Sequence, residues 1–333
     1  MVFNPQHAYN GERYLWRQER KHRCEEKYME IRNILGNTYI IDTGIRYIPF
    51  YKINDEEIVM MDSGLKEERE NLQNLLDENG LRIAALLCSH AHVDHIGNNS
   101  YFRERYGCTV AMPEFEAMIA RSVTHLKAYY ANIAVSDIEE RFGQMVGETD
   151  FPIGRDQEEI TLCGVRFGII HTPGHSPDHI CIVTPDDVVY LGDAIISRKT
   201  IDASKMPYAF ILSEDLESKR KLYDLKHRKY IVAHKGVYDE ITDLITENIN
   251  FYLGRSVHIL KLVTKPMTME DILKEILVAF RIRVETPKKY VVMERMMRSY
   301  VEYLKDTGEL ELVLENGFLK YTRKASPEIL ESS

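Results

Sequence analysis

From residue 28 the chain alternates short apolar runs with turn residues: "YMEIRNIL", "TYIIDTG", "IPFYKI" and "EIVMMDSG", closed by Gly, Asn or Asp. Their length and β-branched content predict consecutive strands of one sheet. "LKEERENLQNLLDENG" then sets Leu65, Leu72, Leu75 and Leu76 among acids and ends on Gly80, which predicts a helix and its stop. "LRIAALLCSH" follows as an inner strand, because its apolar residues run on without alternating. "NNSYFRERYG" predicts a helix and "CTVAM" a short strand. Residues 113–147 read as largely helical and rich in Met, Tyr and Phe. Two readings stay open there, a helix pair packed on the sheet or an element that covers a pocket or meets a second subunit.

Strands resume at "EEITLCG", "VRFGIIHTPG", "HICIVTPD" and "DVVYLGDAII". "SEDLESKRKLYDLK" predicts a helix, "KYIVAHKG" a last strand, and "YDEITDLITENINFYLGRSVHILKLV" a long helix that Gly254 is expected to interrupt. After "TKPMT" the pattern changes. "MEDILKEILVAF" is an amphipathic helix with Thr268 and Asp271 at capping-box spacing. "PKKYVVMERMMRSYVEYLKDTG" predicts a longer helix, and "ELELVLENGFLKYTRK" two alternating strands around Asn316-Gly317, a strong hairpin turn. Helix, helix and hairpin look like a winged-helix module. The expected divisions are an N-terminal extension over residues 1–27, a main domain over 28–262 and a small C-terminal domain over 263–333.

Composition fits an ordinary globular chain, with 44% hydrophobic and 29% charged residues over 333 positions. No apolar run reaches membrane-helix length, and the first residues turn charged where a signal peptide needs an apolar centre, so a cytoplasmic protein is expected. Cys24, Cys88, Cys108, Cys163 and Cys181 are odd in number and lack CxxC spacing, which favours buried thiols over disulfides. A net charge of -9 disfavours polyanionic partners.

The chemistry concentrates in "SHAHVDHIGNN", residues 89–99, at the carboxyl end of the predicted inner strand. His90 and His92, two apart, can reach one metal, while Asp94 and His95 fall beyond a bend and can turn to another. Imidazole and carboxylate suit zinc, but a full shell needs residues from elsewhere. His175 in "HTPGHSPDH", Asp193 in "YLGDAI" and His234 in "IVAHKG" each follow a predicted strand, so one sheet edge can present all three.

On these motifs the chain resembles the metallo-β-lactamase-fold hydrolase superfamily. "SHAHVDH" matches its HxHxDH motif, "HTPGH" its second histidine motif, "GDAI" and "AHKG" its later positions, and "MMDSG" a framework motif in which Asp62 is structural. The resemblance covers about residues 28–262. It implies an α/β fold, a four-layer αβ/βα sandwich, here followed by a small winged-helix-like α+β domain. It also implies a first metal on His90, His92 and His175, a second on Asp94, His95 and His234, and Asp193 bridging them. Two zinc ions are expected, with Fe or Mn as alternatives. Metal coordination makes hydroxide available near neutral pH, and Asp94 is the expected catalytic residue, orienting that nucleophile or taking its proton. His171 is expected to hydrogen-bond near the ligands without binding metal, and His179 is left between such a role and the surface.

The superfamily includes thioester hydrolases such as glyoxalase II, lactonases, β-lactamases, nucleases and single-iron dioxygenases. The absence of an export signal and the extra C-terminal stretch argue against antibiotic hydrolysis. Residues 261–333 carry thirteen Lys or Arg and twelve Asp or Glu, a balance that argues against a nucleic-acid partner. The expectation is a metal-dependent hydrolase of a small-molecule ester, thioester or lactone. A persulfide dioxygenase type, a metal-dependent nuclease and a scaffold that only binds are the alternatives. Tyr129, Tyr130 and Tyr208 are candidates for an oxyanion donor, a pocket wall or plain packing. A homo-oligomer, as a dimer, is expected.

Overall fold

The computed structural model describes residues 29–324; the expected extension over residues 1–27 and Cys24 lie outside them. The first sheet runs in the order β1 (Glu30–Leu35), β2 (Thr38–Asp42), β3 (Tyr47–Lys52), β4 (Glu57–Met61), β5 (Arg82–Leu87), β6 (Thr109–Pro113) and β7 (Phe151–Ile153). It is antiparallel from β1 to β4 and parallel from β4 to β7. The second sheet holds β8 (Glu159–Leu162), β9 (Val165–His171), β10 (Ile180–Val183), β11 (Val188–Tyr190), β12 (Lys229–Val232) and β13 (Gly236–Tyr238), in the reverse spatial order. Only β11 and β12 pair in parallel there.

Adjacent residues on each strand serve different cores, and this explains the unbroken apolar runs. Ile40, Val59, Met61 and Leu87 face the second sheet, where they meet Phe167, Ile182 and Tyr190. Their neighbours Ile41, Met60 and Leu86 face helices instead, packing with Leu72, Leu76 and Phe102. Across the second sheet, Val189, Leu191 and Val232 meet Leu244 and Ile245. Each such side chain contributes about 1.5–3 kcal/mol on burial, so both sheets are fixed between helical layers. The result is the expected four-layer α/β sandwich.

The helices of the first layer are α1 (Arg69–Glu78), α2 (Val93–Ile96), α3 (Asn99–Tyr106), α4 (Glu114–Ile119), α5 (Val123–Tyr129) and α6 (Val135–Phe142). Residues 113–147 thus form three short helices instead of a pair. On the other side lie α7 (Arg198–Ala203), α8 (Leu212–Lys221) and α9 (Thr242–Leu262). Gly254 does not interrupt α9. Burial of Tyr252, Ser256 and Ile259 on either side outweighs the roughly 1 kcal/mol helix cost of one glycine.

A small α+β region follows, with α10 (Met269–Ala279), α11 (Pro287–Asp306) and a hairpin of β14 (Leu310–Glu315) and β15 (Phe318–Arg323). The Thr268–Asp271 capping box forms at the start of α10. Asn316 and Gly317 both take positive φ, as their turn requires. Ile272, Leu273, Ile276, Met297 and Tyr300 of this region pack with Leu212, Leu216, Tyr252 and Ile259, so one core spans both parts. Cys88, Cys108 and Cys181 are buried free thiols, whereas Cys163 is exposed in the turn between β8 and β9. None of the described helices is long and apolar enough to cross a membrane.

Candidate metal centre

The carboxyl ends of β5, β9, β11 and β12 deliver the seven expected residues to one edge. Beyond β5 the chain bends at Ser89, is extended at His92, whose φ is -105° and ψ 153°, and then turns into α2. This puts His90 and His92 on the loop and Asp94 and His95 on the helix. His175 comes from a turn that touches α8 through Gly174, where φ is +123° and a Cβ would sit 2.0 Å from the Asp215 amide nitrogen. Only glycine permits that approach. The Gly174 carbonyl accepts from the Phe210 and Ile211 N–H groups at 2.8 and 3.0 Å, and Ser218 Oγ donates to the Pro173 carbonyl at 2.6 Å. Asp193 and His234 follow β11 and β12 directly.

Asp193 lies between the two groups of residues expected from the sequence. His92 Nδ1 lies 2.9 Å from His90 Nε2 and 3.1 Å from His175 Nε2. His95 Nε2 lies 3.7 Å from Asp94 Oδ2 and 3.5 Å from Asp193 Oδ2. His234 Nε2 lies 3.6 Å from Asp94 Oδ2 and 3.3 Å from Asp193 Oδ1. Asp193 Oδ2 also approaches His175 Nε2 at 3.4 Å. Ligand atoms of His90, His92 and His175 lie within 4.8 Å of one another, as do those of Asp94, His95 and His234, and those of His90, His95 and Asp193.

The surrounding hydrogen bonds leave the right atoms bare for cations. Asp62 accepts from the Ser89 N–H, Ser89 Oγ, His95 Nδ1 and Tyr190 hydroxyl at 2.6–2.8 Å. The Ser89 proton is thereby used, so His90 Nδ1 donates to Ser89 Oγ at 2.9 Å and His90 Nε2 is left as a lone pair. With His95 Nδ1 committed to Asp62, its Nε2 is likewise free; this atom and Asp193 Oδ1 are buried without a hydrogen-bond partner. Burial pushes the His92 imidazole down to about 4 and keeps His90 and His175 neutral too. Burial would also lower His95, but Asp94, Asp193 and Asp62 raise it well above its ordinary value. Neutral imidazoles at His90, His92 and His175, with His95 among carboxylates that demand positive charge, are a donor set suited to divalent cations.

Several supporting residues have no motif. His179, left open by the sequence, is fully buried; its Nε2 accepts the Asp193 N–H at 3.0 Å and its Nδ1 donates to Thr172 Oγ1 at 2.8 Å. His171 is the correction. Its Nε2 pairs with the Gln157 carbonyl at 2.9 Å, away from the ligands, because it is still part of β9 when the chain turns toward His175. Buried Arg46 donates to the Asp94 carbonyl at 2.5 Å and pairs with its carboxylate at 3.1 Å. Buried Glu116 accepts from the Ala91 and Asp178 N–H groups, both at 2.8 Å, and so ties the His90–His92 loop to the loop after His175. Sequence reading missed Arg46 and Glu116, since isolated charged residues look like surface ones until burial is known.

A cavity of about 430 Å³ adjoins the cluster, lined by Phe115, Met118, Tyr129, Tyr208, Phe210 and Arg295 among others. The Tyr129 hydroxyl is 3.2 Å from His92 Nε2 and 3.4 Å from the Tyr208 hydroxyl. The Tyr208 ring packs edge-on against His92 and His175, each at 5.5 Å between centroids. Residues 113–147 therefore supply one wall of a pocket beside the site.

Known proteins are similar to parts of this chain. The chain is 29% identical to an uncharacterized protein of Mycobacterium leprae over 130 residues, 38% of this chain and 57% of that one. It is also 29% identical to a hydroxyacylglutathione hydrolase of Thiobacillus denitrificans over 112 residues, 34% of this chain and 33% of the hydrolase. The chain spans just over half the length of the first of these relatives and a third of the second. The crystal structure of a metallo-beta-lactamase family protein from Thermus thermophilus superimposes with a TM-score of 0.66 at 22% identity, covering 84% of this chain and 94% of that one. At that identity the likeness is one of fold. The sequence profile of the metallo-beta-lactamase superfamily matches residues 36–234, and it takes in every residue of the cluster, from His90 to His234; the chain belongs to that superfamily.

Proposed function

We propose that the protein is a binuclear metal-dependent hydrolase of a small-molecule ester, thioester or lactone. The carrying observation is the pair of ligand sets joined at Asp193 beside a cavity of small-molecule size. His90, His92 and His175 would hold one cation and Asp94, His95 and His234 the other, with Asp193 between them; zinc suits this donor set. Bound there, such cations bring water to a nucleophilic state near neutral pH and polarise a carbonyl.

The chain's own residues prepare the rest. Burial would raise the Asp94 carboxyl, but His95, Arg46 and His234 hold it well below its usual value, so Asp94 is ionised and Oδ2 can orient the attacking water or take its proton. Arg46 fixes that carboxylate from behind. Asp62 and Ser89 fix the ring orientations of His95 and His90, and His179 fixes the Asp193 backbone. Burial keeps the Tyr129 hydroxyl protonated, so it is a donor beside His92 for an oxyanion forming in the pocket mouth.

The thioester arm draws support from the partial match to hydroxyacylglutathione hydrolases. Residues 28–262 form the catalytic unit in this reading, and 263–333 a winged-helix-like unit of a cytoplasmic dimer. The test is metal content per chain in protein purified without added metal, with aerobic and anaerobic assays on thioester, lactone and persulfide substrates. Two zinc ions per chain, and oxygen-independent thioester or lactone cleavage abolished by a chelator and restored by zinc, are the expected results. One iron with oxygen-dependent persulfide turnover would overturn the reading in favour of a dioxygenase.

A further inference from the structure

The C-terminal region places a partly buried cation beside the metal centre. Arg295 on α11 donates through Nη1 to the Tyr129 carbonyl at 2.8 Å. Its guanidinium carbon lies 4.4 Å from the Tyr129 ring centroid, 4.9 Å from Tyr130, 5.7 Å from Phe210 and 5.9 Å from Tyr208. The Tyr208 hydroxyl also interacts with the guanidinium, Nη2 itself makes no hydrogen bond of good geometry, and no carboxylate of the described residues forms an ion pair with Arg295. Arg298, one turn along, differs in this respect, because it pairs with Glu294 at 2.7 Å. Glu302, also in the cavity wall, lies on the Arg298 side.

A guanidinium partly withdrawn from water without a counter-charge bears a cost, and aromatic faces offset only part of it. The position of this one is informative. It lines the same cavity as Phe115, Met118 and Phe210, and the aromatic rings of Tyr129 and Tyr208 stand between it and the ligand histidines. A substrate lying in the cavity with its reacting carbonyl at the cluster would pass the two tyrosines, lay its next carbons on the apolar wall and end at Arg295.

We propose that the cavity is the subsite for one arm of the substrate, and that Arg295 selects a short apolar arm ending in a carboxylate. This rests on the hydrolase reading above. A carboxylate supplies the missing counter-charge to the Arg295 guanidinium that lines the cavity, whereas a methyl or amide end leaves it without one. Specificity is therefore built jointly, with chemistry from the sandwich and recognition from α11.

The test compares S-glutaryl and S-pentanoyl thioesters of N-acetylcysteamine, which have the same chain length and differ in a terminal carboxylate or methyl. Wild type is expected to favour the glutaryl compound by about tenfold or more in kcat/KM, mainly through KM. Arg295→Met is expected to abolish the preference by lowering glutaryl kcat/KM about tenfold more than pentanoyl kcat/KM, and Arg295→Lys to retain part of it. Equal losses on both substrates, the mark of a merely structural arginine, overturn the proposal, as does a wild type without preference. If neither thioester is cleaved, the hydrolase reading fails separately, and calorimetric binding of phenylbutyrate against phenylbutyramide decides. Tighter carboxylate binding that disappears in Arg295→Met sustains the subsite, and indifference to the charge or to the substitution overturns it. Should Arg295→Met fail to fold by circular dichroism, wild type and Arg295→Lys carry the same comparison.

Discussion

Asp62 shows how much of the site depends on a residue that need not touch metal. It sits just past β4 with φ +62°, a conformation aspartate tolerates better than most residues, and its two oxygens take four donors. In Asp62→Asn, one amide NH₂ must face donors where a carboxylate oxygen stood. The expected loss is about 1–3 kcal/mol of stability and roughly ten- to a hundredfold in metal affinity, because the His95 and His90 rings are no longer held. Thermal melting and titration against a chromophoric chelator measure both; wild-type metal affinity in the variant would show that the rings are oriented by other contacts. The grouping of His90, His92, Asp94, His95, His175, Asp193 and His234 was legible because four of them fall within six positions and the others follow strand ends. Arg46, Glu116 and the contact of His179 were not, because they act through hydrogen bonds and ion pairs to residues distant in sequence, which leave no local pattern.

At the level of elements, the sandwich was readable wherever a strand is buried on both faces, as in β4, β5 and β10, since continuous apolar runs are the direct trace of that burial. The strands β7 and β13 were not. Each has three residues, and β7 contains Pro152 at the sheet edge, so their pairing comes from neighbours and not from their own sequence. Helix α9 shows the opposite failure, a local rule that tertiary packing overrides. Gly254 lies inside the helix, and a Cβ built there meets nothing within 4 Å. Gly254→Ala should therefore stabilise the protein by about 0.5–1 kcal/mol, read as a rise of roughly a degree or two in Tm. A fall in Tm would mean that α9 bends at this point in solution and uses the glycine to do so.

Across the whole molecule, the change of pattern after "TKPMT" marks where secondary structure restarts, but packing across that point leaves no trace in the local sequence. Tyr252 of α9 stacks on Tyr300 of α11 with ring planes 11° apart, and the Tyr300 hydroxyl donates to the Pro207 carbonyl at 2.7 Å. Met267 and Tyr321 exchange backbone hydrogen bonds at 2.9 and 2.7 Å, which fastens the hairpin to the start of α10. Independent units joined by a linker would unfold in separate steps, yet here the core of α10 and α11 is completed by α8 and α9. Opening the C-terminal region alone would expose Tyr252, Ile259, Leu212 and Leu216 together, at about 1.5–3 kcal/mol for each large side chain. That cost favours opening both parts at once. Urea unfolding followed by circular dichroism, and by hydrogen exchange of α9 and α11 peptides, should give coincident midpoints and similar protection in the two helices. Early exchange of α11 at a lower denaturant concentration would show that the shared core does not couple them, and Arg295 would then be carried by a part of the chain able to leave the site independently.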